Sequence, residues 1–416
     1  MSDRNGYPIF DGWLLRKIYR SVGRPPIRLT LGNGVEVSPS DASPVANFHI
    51  RDRGTLFKMV LDPEVGFGDA YSEGRITVEG NLIAALETLY QSISVTDHSW
   101  YSRIVSKLMA HLQRNSLRGS RKNIHQHYDL KTDFYRLWLD PQLVYTCAYF
   151  PSASATLEEA QIAKMDYVCR KLQLDSGACV VDAGCGWGAL ALYMAKHYGV
   201  TVRAFNISHE QILWARWRSN QLGLSQRVEF VEDDYRNISG KCDAFVSVGM
   251  LEHVGFEHYQ ELGSIIHRSL DKAGRGLFHF IGRNKPCPFS TWTRKRIFPG
   301  AYAPTLRQAM DIFEPHDLSV LDVENLRLHY ARTLEYWLDA FEKSSNQVRE
   351  MFGPEFVRTW RLYLAGAIAG FRAGTLQLFQ IVFARTACRQ IPWTRAHLYR
   401  QGQNEDEGAK WIRAIS

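Results

Sequence analysis

From Leu157 to Ile281 this 416-residue sequence alternates between helical and extended patterns, which constrains its fold more than any other feature. The spacing predicts a helix over Leu157–Leu172, then an apolar strand at Ala178–Asp182 ending in a glycine turn. A helix over Ala189–Tyr198 closes at Gly199, followed by strand Val200–Ile207, helix His209–Leu222 and strand Arg227–Glu232. Strand Cys242–Val248, helix Glu257–Leu270 and strand Gly276–Ile281 complete the series, and Asp317–Val323 and Thr375–Arg385 read as later strands. Such alternation predicts a parallel sheet with helices on both faces. Ligands of these sheets bind beyond the carboxyl ends of the strands.

Upstream the pattern changes. Ile27–Val37 reads as a hairpin, with Asn33-Gly34 supplying the positive φ angles of a tight turn. Phe48–Leu61 continues with β-type alternation, Gly80–Ser92 reads as a helix, and Ser99–Asn115 is amphipathic through Ile104, Leu108 and Leu112. A basic stretch around Arg118–Lys122 follows. The expected division is therefore a smaller α+β domain over 1–115, a linker over 116–124, a larger domain over 125–400 and a polar tail over 401–416.

The longest apolar run, Leu362–Phe371, has ten residues and is too short to span a bilayer. Met1–Ile9 lacks a signal pattern. Seven cysteines without paired metal spacing predict no metal site and a reducing cytosol. The net charge of +7 is concentrated. No Asp or Glu lies between His98 and Tyr128, which holds Arg103, Lys107, Arg114, Arg118, Arg121 and Lys122. Lys272–Met310 is also acid-poor, with Lys272, Arg275, Arg283, Lys285, Arg294, Lys295, Arg296 and Arg307. Solvated basic faces are the plain reading, and attachment to an anionic membrane is the functional one. No groove-reading motif accompanies the charge, so nucleic acid is not an expected partner.

The turn after the first strand of the series reads Asp182-Ala183-Gly184-Cys185-Gly186-Trp187-Gly188. Its glycines let the backbone pass close under a ligand and enter a helix tightly. A nicotinamide enzyme would place an acid after the next strand to hold a ribose hydroxyl. Asn206-Ile207-Ser208 stands there instead. With Asp182 ahead of the first glycine, the loop points to S-adenosylmethionine and to Asp182, Gly184, Gly186 and Gly188 as cofactor-binding residues.

Val144–Phe150 (VYTCAYF), Val180–Gly188 (VVDAGCGWG), Val246–Gly255 (VSVGMLEHVG) and Phe278–Gly282 (FHFIG) together resemble the cyclopropane-fatty-acyl-phospholipid synthases and the related mycolic acid cyclopropane synthases. His127–Leu130, Glu159–Lys164 and Asp234–Arg236 fit the same family, over about His125 to Arg385. Gly66–Tyr71 resembles the extra N-terminal domain of the phospholipid-acting branch. The resemblance implies a class I methyltransferase (Rossmann-like) fold, a seven-stranded doubly wound sheet, and attack on a cis double bond of an acyl chain. It also implies a homodimer, a cytoplasmic place at the inner face of the membrane, and unsaturated phospholipid acyl chains as partners. As further cofactor contacts it implies Tyr145, Gln161, Asn206, Ile207, Gln211, Asp234 and Tyr235.

An alkene has no proton to lose before it attacks a sulfonium methyl, so that chemistry requires no activated nucleophile. Positioning in a dry tunnel supplies much of the catalysis, and aromatic faces such as Tyr149, Phe150, Phe278 and Phe280 would stabilise the cation that forms. Ring closure then needs a base. In the family this is a bound bicarbonate, whose ligands match Cys147, Glu252, His279, Ile281 and Tyr330. Alone, Glu252 is a helix-starting charge, His279 a core histidine, Cys147 packing and Tyr330 structural; their joint occurrence in family order makes them catalytic candidates. Amine N-methyltransferases sharing Glu252-His253, enzymes making methylene- or methyl-branched chains, and a catalytically silent cofactor sensor are the rival readings.

Overall fold

Two separate sheets hold the eleven strands of the computed structural model, which describes residues 8–39, 43–96 and 131–399. The predicted helix Ser99–Asn115, the linker 116–124, the motif His127–Leu130 and the tail 401–416 lie outside the described residues. The described residues form two units: one within Met1–His111, Phe289–Ile297 and Leu334–Leu376, the other within Leu112–Pro288, Phe298–Thr333 and Gln377–Ser416.

The first unit carries strands β1 (Arg28–Leu31), β2 (Glu36–Val37), β3 (Ala46–Ile50) and β4 (Ile76–Gly80), in the order β2-β1-β3-β4. The expected hairpin is β1–β2, but of Asn33 and Gly34 only Gly34 adopts positive φ (88°). The Asn33 side chain instead caps Val35 N and reaches the buried Asp11, making a three-residue loop with one left-handed position. The β-type reading of Phe48–Leu61 holds only to Ile50. Asp52 accepts from Thr55 N at 2.8 Å and starts helix Arg53–Leu61, which buries Leu56 and Met59 at helical spacing. The predicted helix at Gly80–Ser92 is Leu82–Thr96.

Two distant segments complete this unit. Helix Pro354–Arg372 packs on helices Leu82–Thr96 and Pro63–Ser72 and buries Leu364, Ala365, Ile368 and Phe371, and Arg358 donates to Ser72 O at 2.6 Å. A Cβ on Gly68 would stand 2.3 Å from the Trp292 ring, and Arg296 forms a two-pronged pair with Asp69 at 3.0 and 2.7 Å. Residues 289–297 and 334–376 thus join the N-terminal unit, whereas the sequence had grouped them with the larger domain over 125–400. Only tertiary contact links them, so no local composition marks the boundary.

The second unit is built on β5 (Cys179–Ala183), β6 (Thr201–Asn206), β7 (Val228–Glu232), β8 (Cys242–Val248), β9 (Leu270–Gly282), β10 (Leu318–Asn325) and β11 (Gln377–Arg385). The order is β10-β11-β9-β8-β5-β6-β7, parallel from β9 to β7 and antiparallel at β11 and β10. Strand alternation feeds two cores. Val180, Val202, Ala204, Val246, Leu277 and Val382 meet helices Leu157–Leu172 and Ala189–Tyr198. Val181, Ala183, Phe245, Phe278, Ile381 and Phe383 meet helix Tyr259–Ser269. This is the doubly wound seven-stranded sheet expected. Its order reverses between β5 and β8, which places the ligand crevice at their carboxyl ends. Among the described residues no helix is long and apolar enough to cross a membrane.

Asp52→Ala is expected to cost the Arg53–Leu61 helix about 1 kcal/mol. Hydrogen exchange of its amides should then accelerate about fivefold. Unchanged exchange would show that the cap does not hold this helix.

Candidate active site

At the end of β5 the chain turns through Gly184 and Gly188, at φ 88° and 85°. A Cβ on Gly184 would lie 2.8 Å from Met250, and one on Gly188 2.6 Å from Phe230, so neither position accepts a side chain. Gly184 N and Cys185 N both donate to Phe205 O, tying the loop to β6. Above this turn opens a cleft with about 1110 Å³ of empty space. Of the predicted cofactor residues, Tyr145, Asp182, Gly184, Gly186, Asn206, Ile207, Gln211, Asp234 and Tyr235 line it. Asn206 Nδ2 bridges Gly186 O and Gln211 Oε1 at 3.2 and 2.7 Å, so the β6 end and the glycine loop share one network.

Two predicted cofactor residues stand apart from the lining. Gly188 starts the helix below the cleft. Gln161 is fully buried and donates to Val144 O and Thr146 O, so it supports the loop that carries Tyr145. Asp234 lines the cleft, but its carboxylate accepts from Arg236 N and Nε. Trp187 both lines the cleft and meets Tyr135 edge-on at 4.8 Å.

Sequence reasoning overlooked Lys164. Its Nζ donates to Thr146 Oγ1 at 2.9 Å within the cleft wall, and burial lowers its pKa to about 8. Burial raises its neighbour Asp182 to about 7, against the pull of Lys164. The signal was present: Lys164, Val168 and Lys171 follow helical spacing, placing two lysines on the inward face of helix Leu157–Leu172. His253 also lines the cleft, and burial lowers its pKa to about 4, leaving it neutral.

Of the five predicted base-site residues, Cys147, Glu252, His279 and Ile281 are joined to the cleft wall through the backbone or, for Ile281, through Glu252. Cys147 follows Thr146 and is fully buried; burial pushes its thiol far up, so it is no nucleophile. Where β8 ends, Glu252 takes over as partner of β9, its Oε1 accepting from Ile281 N at 2.6 Å. Among the described residues its Oε2 is buried without a hydrogen-bond partner, and burial raises the carboxyl to about 7. His279 O accepts from Gly249 N of the cleft wall at 2.8 Å, while His279 Nε2 is likewise buried and unpartnered. Burial and the Lys164 and Lys171 ammoniums hold this imidazole well below its usual pKa, and Lys164 also acts on Cys147. Tyr330 is buried in the first turns of helix Arg327–Lys343. From that stretch Thr333 accepts from Ala148 N and His329 from Phe150 N, both at 3.0 Å.

The expectation that Phe278 and Phe280 face a developing cation is corrected. They alternate with His279 to the opposite side of β9 and pack in the core against Phe383 and Phe379. Tyr149 is stacked between Tyr167 and His329 at 4.4 and 4.9 Å.

The Glu252 carboxyl moves from 4.5 to about 7, so between these values the folded protein holds a proton that the unfolded chain has released. Stability therefore falls as pH rises through this window, by on the order of 3 kcal/mol. Glu252→Gln keeps an acceptor for Ile281 N and has no such penalty. Its Tm advantage over the native protein should widen between about pH 5 and about pH 8. A gap independent of pH would contradict a raised carboxyl.

A family model described as mycolic acid cyclopropane synthetase matches residues 115–381. The chain is 32% identical over 402 residues to a probable fatty acid methyltransferase of Pseudomonas putida, covering 90% of this chain and 96% of that protein. It is 39% identical over 261 residues to the cyclopropane-fatty-acyl-phospholipid synthase of Escherichia coli K12, covering 62% and 67% of the two chains. The solved structure of mycolic acid cyclopropane synthase CmaA1 complexed with SAH and CTAB superimposes with a TM-score of 0.61 at 31% identity, over 63% of this chain and 97% of that one. With its glycine loop beneath an open cleft and this match along most of its length, the chain belongs to the cyclopropane synthase family of S-adenosylmethionine-dependent, lipid-modifying methyltransferases.

Proposed function

We propose that this protein adds the methyl carbon of S-adenosylmethionine to the cis double bond of an unsaturated phospholipid acyl chain and closes a cyclopropane ring. The observation that carries this reading is the pair of buried polar atoms, Glu252 Oε2 and His279 Nε2, that find no partner among the described residues and belong to the strand ends that carry the cleft wall. A methyl transfer alone has no use for them, whereas ring closure needs a held base. The chemistry of this donor set suits a small planar oxyanion: a neutral imidazole, a buried thiol and a carboxyl that carries a proton around neutrality.

S-adenosylmethionine, when bound, supplies an electrophilic methyl group. The glycine loop, Asn206 and Gln211 hold the floor of its cleft, and the Tyr145, Tyr135, Trp138 and Trp187 rings pack together beside the loop, where close packing excludes water. The alkene would attack that methyl in line, the carbon–sulfur bond breaking to release S-adenosylhomocysteine, and the chain would become a methylated cation. Bicarbonate, when bound, would supply the base. Glu252 and His279 would hold and orient it as it takes a proton from the new methyl, the C–H electron pair closing the ring onto the cationic carbon, with Cys147 and Tyr330 as the remaining groups of the site.

A second reading shares every step until that proton leaves. Its support is the near full-length relative named as a probable fatty acid methyltransferase. Loss of a chain proton instead gives a methyl-branched alkene, and a 1,2-hydride shift followed by loss of a methyl proton gives a methylene branch.

Expression in a host lacking cyclopropane lipids, with gas chromatography of the fatty acid methyl esters, separates the two. A product one CH2 heavier that resists hydrogenation is expected. A heavier alkene that hydrogenates would overturn ring closure, and no new lipid would overturn the acyl-chain reading.

We also infer that the protein works as a homodimer at the cytoplasmic face of an anionic membrane. In the acid-poor window Lys272, Lys285, Lys295 and Arg307 are exposed, whereas Arg275 is buried. Co-sedimentation with phosphatidylglycerol vesicles should weaken as salt rises. Binding that ignores salt, or needs no anionic lipid, would contradict it.

A further inference from the structure

The far side of His279 is as organised as the side that faces the base site. His279 Nδ1 lies 2.9 Å from Gln380 Nε2, across the β9–β11 register that sets these two residues opposite each other. Gln380 Oε1 accepts from Lys171 Nζ at 2.7 Å, and Lys171 Nζ also pairs with Glu324 at 2.5 Å. Gln380 is fully buried, and Lys171 and His279 nearly so. An apolar layer would serve packing better, because each buried polar group must find a partner or cost stability.

The direction of each bond follows from the donors available. An ammonium only donates, so Lys171 fixes the carbonyl end of the Gln380 amide towards itself. The NH2 end then faces His279 and can only donate. Nδ1 must be the unprotonated ring nitrogen.

We propose that Glu324, Lys171 and Gln380 form a relay that locks His279 as the neutral tautomer with its proton on Nε2, making it a hydrogen-bond donor to the anion of the base site. Lys171 and Gln380 are positioning residues: they act only through the imidazole. Burial that keeps the ring uncharged agrees with this assignment. His279 Nε2, unpartnered among the described residues, is then an N–H ready for a carboxylate-like oxygen, with Glu252 Oε2 the matching group on the neighbouring strand end. A ring of the other tautomer would present a lone pair to that oxygen and repel it. The identity of the anion rests on the function proposed above; the tautomer does not.

Protein labelled with 15N-histidine and free of ligand, with the His279 signals identified by their loss in His279→Asn, reads the tautomer directly. The expected spectrum shows a protonated Nε2 and an unprotonated Nδ1. Gln380→Glu replaces the NH2 donor facing Nδ1 with a carboxylate oxygen that can only accept, and should move the proton to Nδ1. Lys171→Arg should preserve the native tautomer, and Lys171→Met should give a mixture. The Met and Glu variants should raise the bicarbonate KM roughly tenfold, on the scale of losing an outer hydrogen-bond partner, with a smaller change in kcat.

A native ring protonated on Nδ1 would overturn the relay, as would a tautomer unmoved by Gln380→Glu. Should that variant not fold, equal tautomer ratios in Lys171→Arg and Lys171→Met would overturn it equally. Tautomers that behave as stated in an enzyme indifferent to bicarbonate would leave the relay standing and remove bicarbonate as its ligand.

Discussion

Beyond Val248 strand β8 stops, and the next inward-facing amide of β9, Ile281 N–H, would be left without a partner. The Glu252 carboxylate fills that place at 2.6 Å. This one bond holds the helix Leu251–Val254 against the end of β9, and with it Gly249, Met250 and His253 along the cleft wall. Because one carboxylate oxygen serves the backbone, the other is fixed in position without a partner of its own. A structural cap and a chemical group are therefore the same residue.

The electrostatics behind the cleft follow from burial more than from pairing. Asp140, Asp182 and Glu252 all have raised pKa values, Lys164 and Lys171 have lowered ones, and burial is the largest cause for each. The layer between helix Leu157–Leu172 and the sheet is thus polar, with the charged form of Lys164, Lys171 and Asp182 weakened by burial. Such a layer can accept a single anion without a large opposing field, and it loses affinity quickly if a proton is misplaced.

Legibility followed the range of the interactions. The strands β5 to β9 and the glycine turn were readable because strand alternation and close backbone approach are local requirements, written in consecutive residues. The helix after Asp52 was misread because Phe57, Met59 and Leu61 satisfy a short β-type alternation while Leu56 and Met59 satisfy a helical one, and the deciding feature was the cap. The first unit was less legible still: helix Pro354–Arg372 lies hundreds of residues from its partners in Leu82–Thr96 and Pro63–Ser72. At the site, residue types were legible but directions were not. His279 and Phe278 are adjacent in sequence, and only the strand's pleat sends one to the polar layer and the other into the core. Gln161 was legible as polar and inward-facing, yet its amide serves Val144 and Thr146.

The segment Leu143–Phe150 ties these observations together. Asp140 receives Val144 N, Gln161 holds two of its carbonyls, and Thr333 and His329 receive the amides of Ala148 and Phe150. Its Tyr145 and Thr146 face the cleft, while Cys147 lies among the buried groups behind it. It is a single partition between the open cleft and the buried polar groups behind it. Evolution cannot retune one side by moving this wall without disturbing the other, so new acceptors in such a scaffold must arise at its rims, where side chains change and the wall stays put.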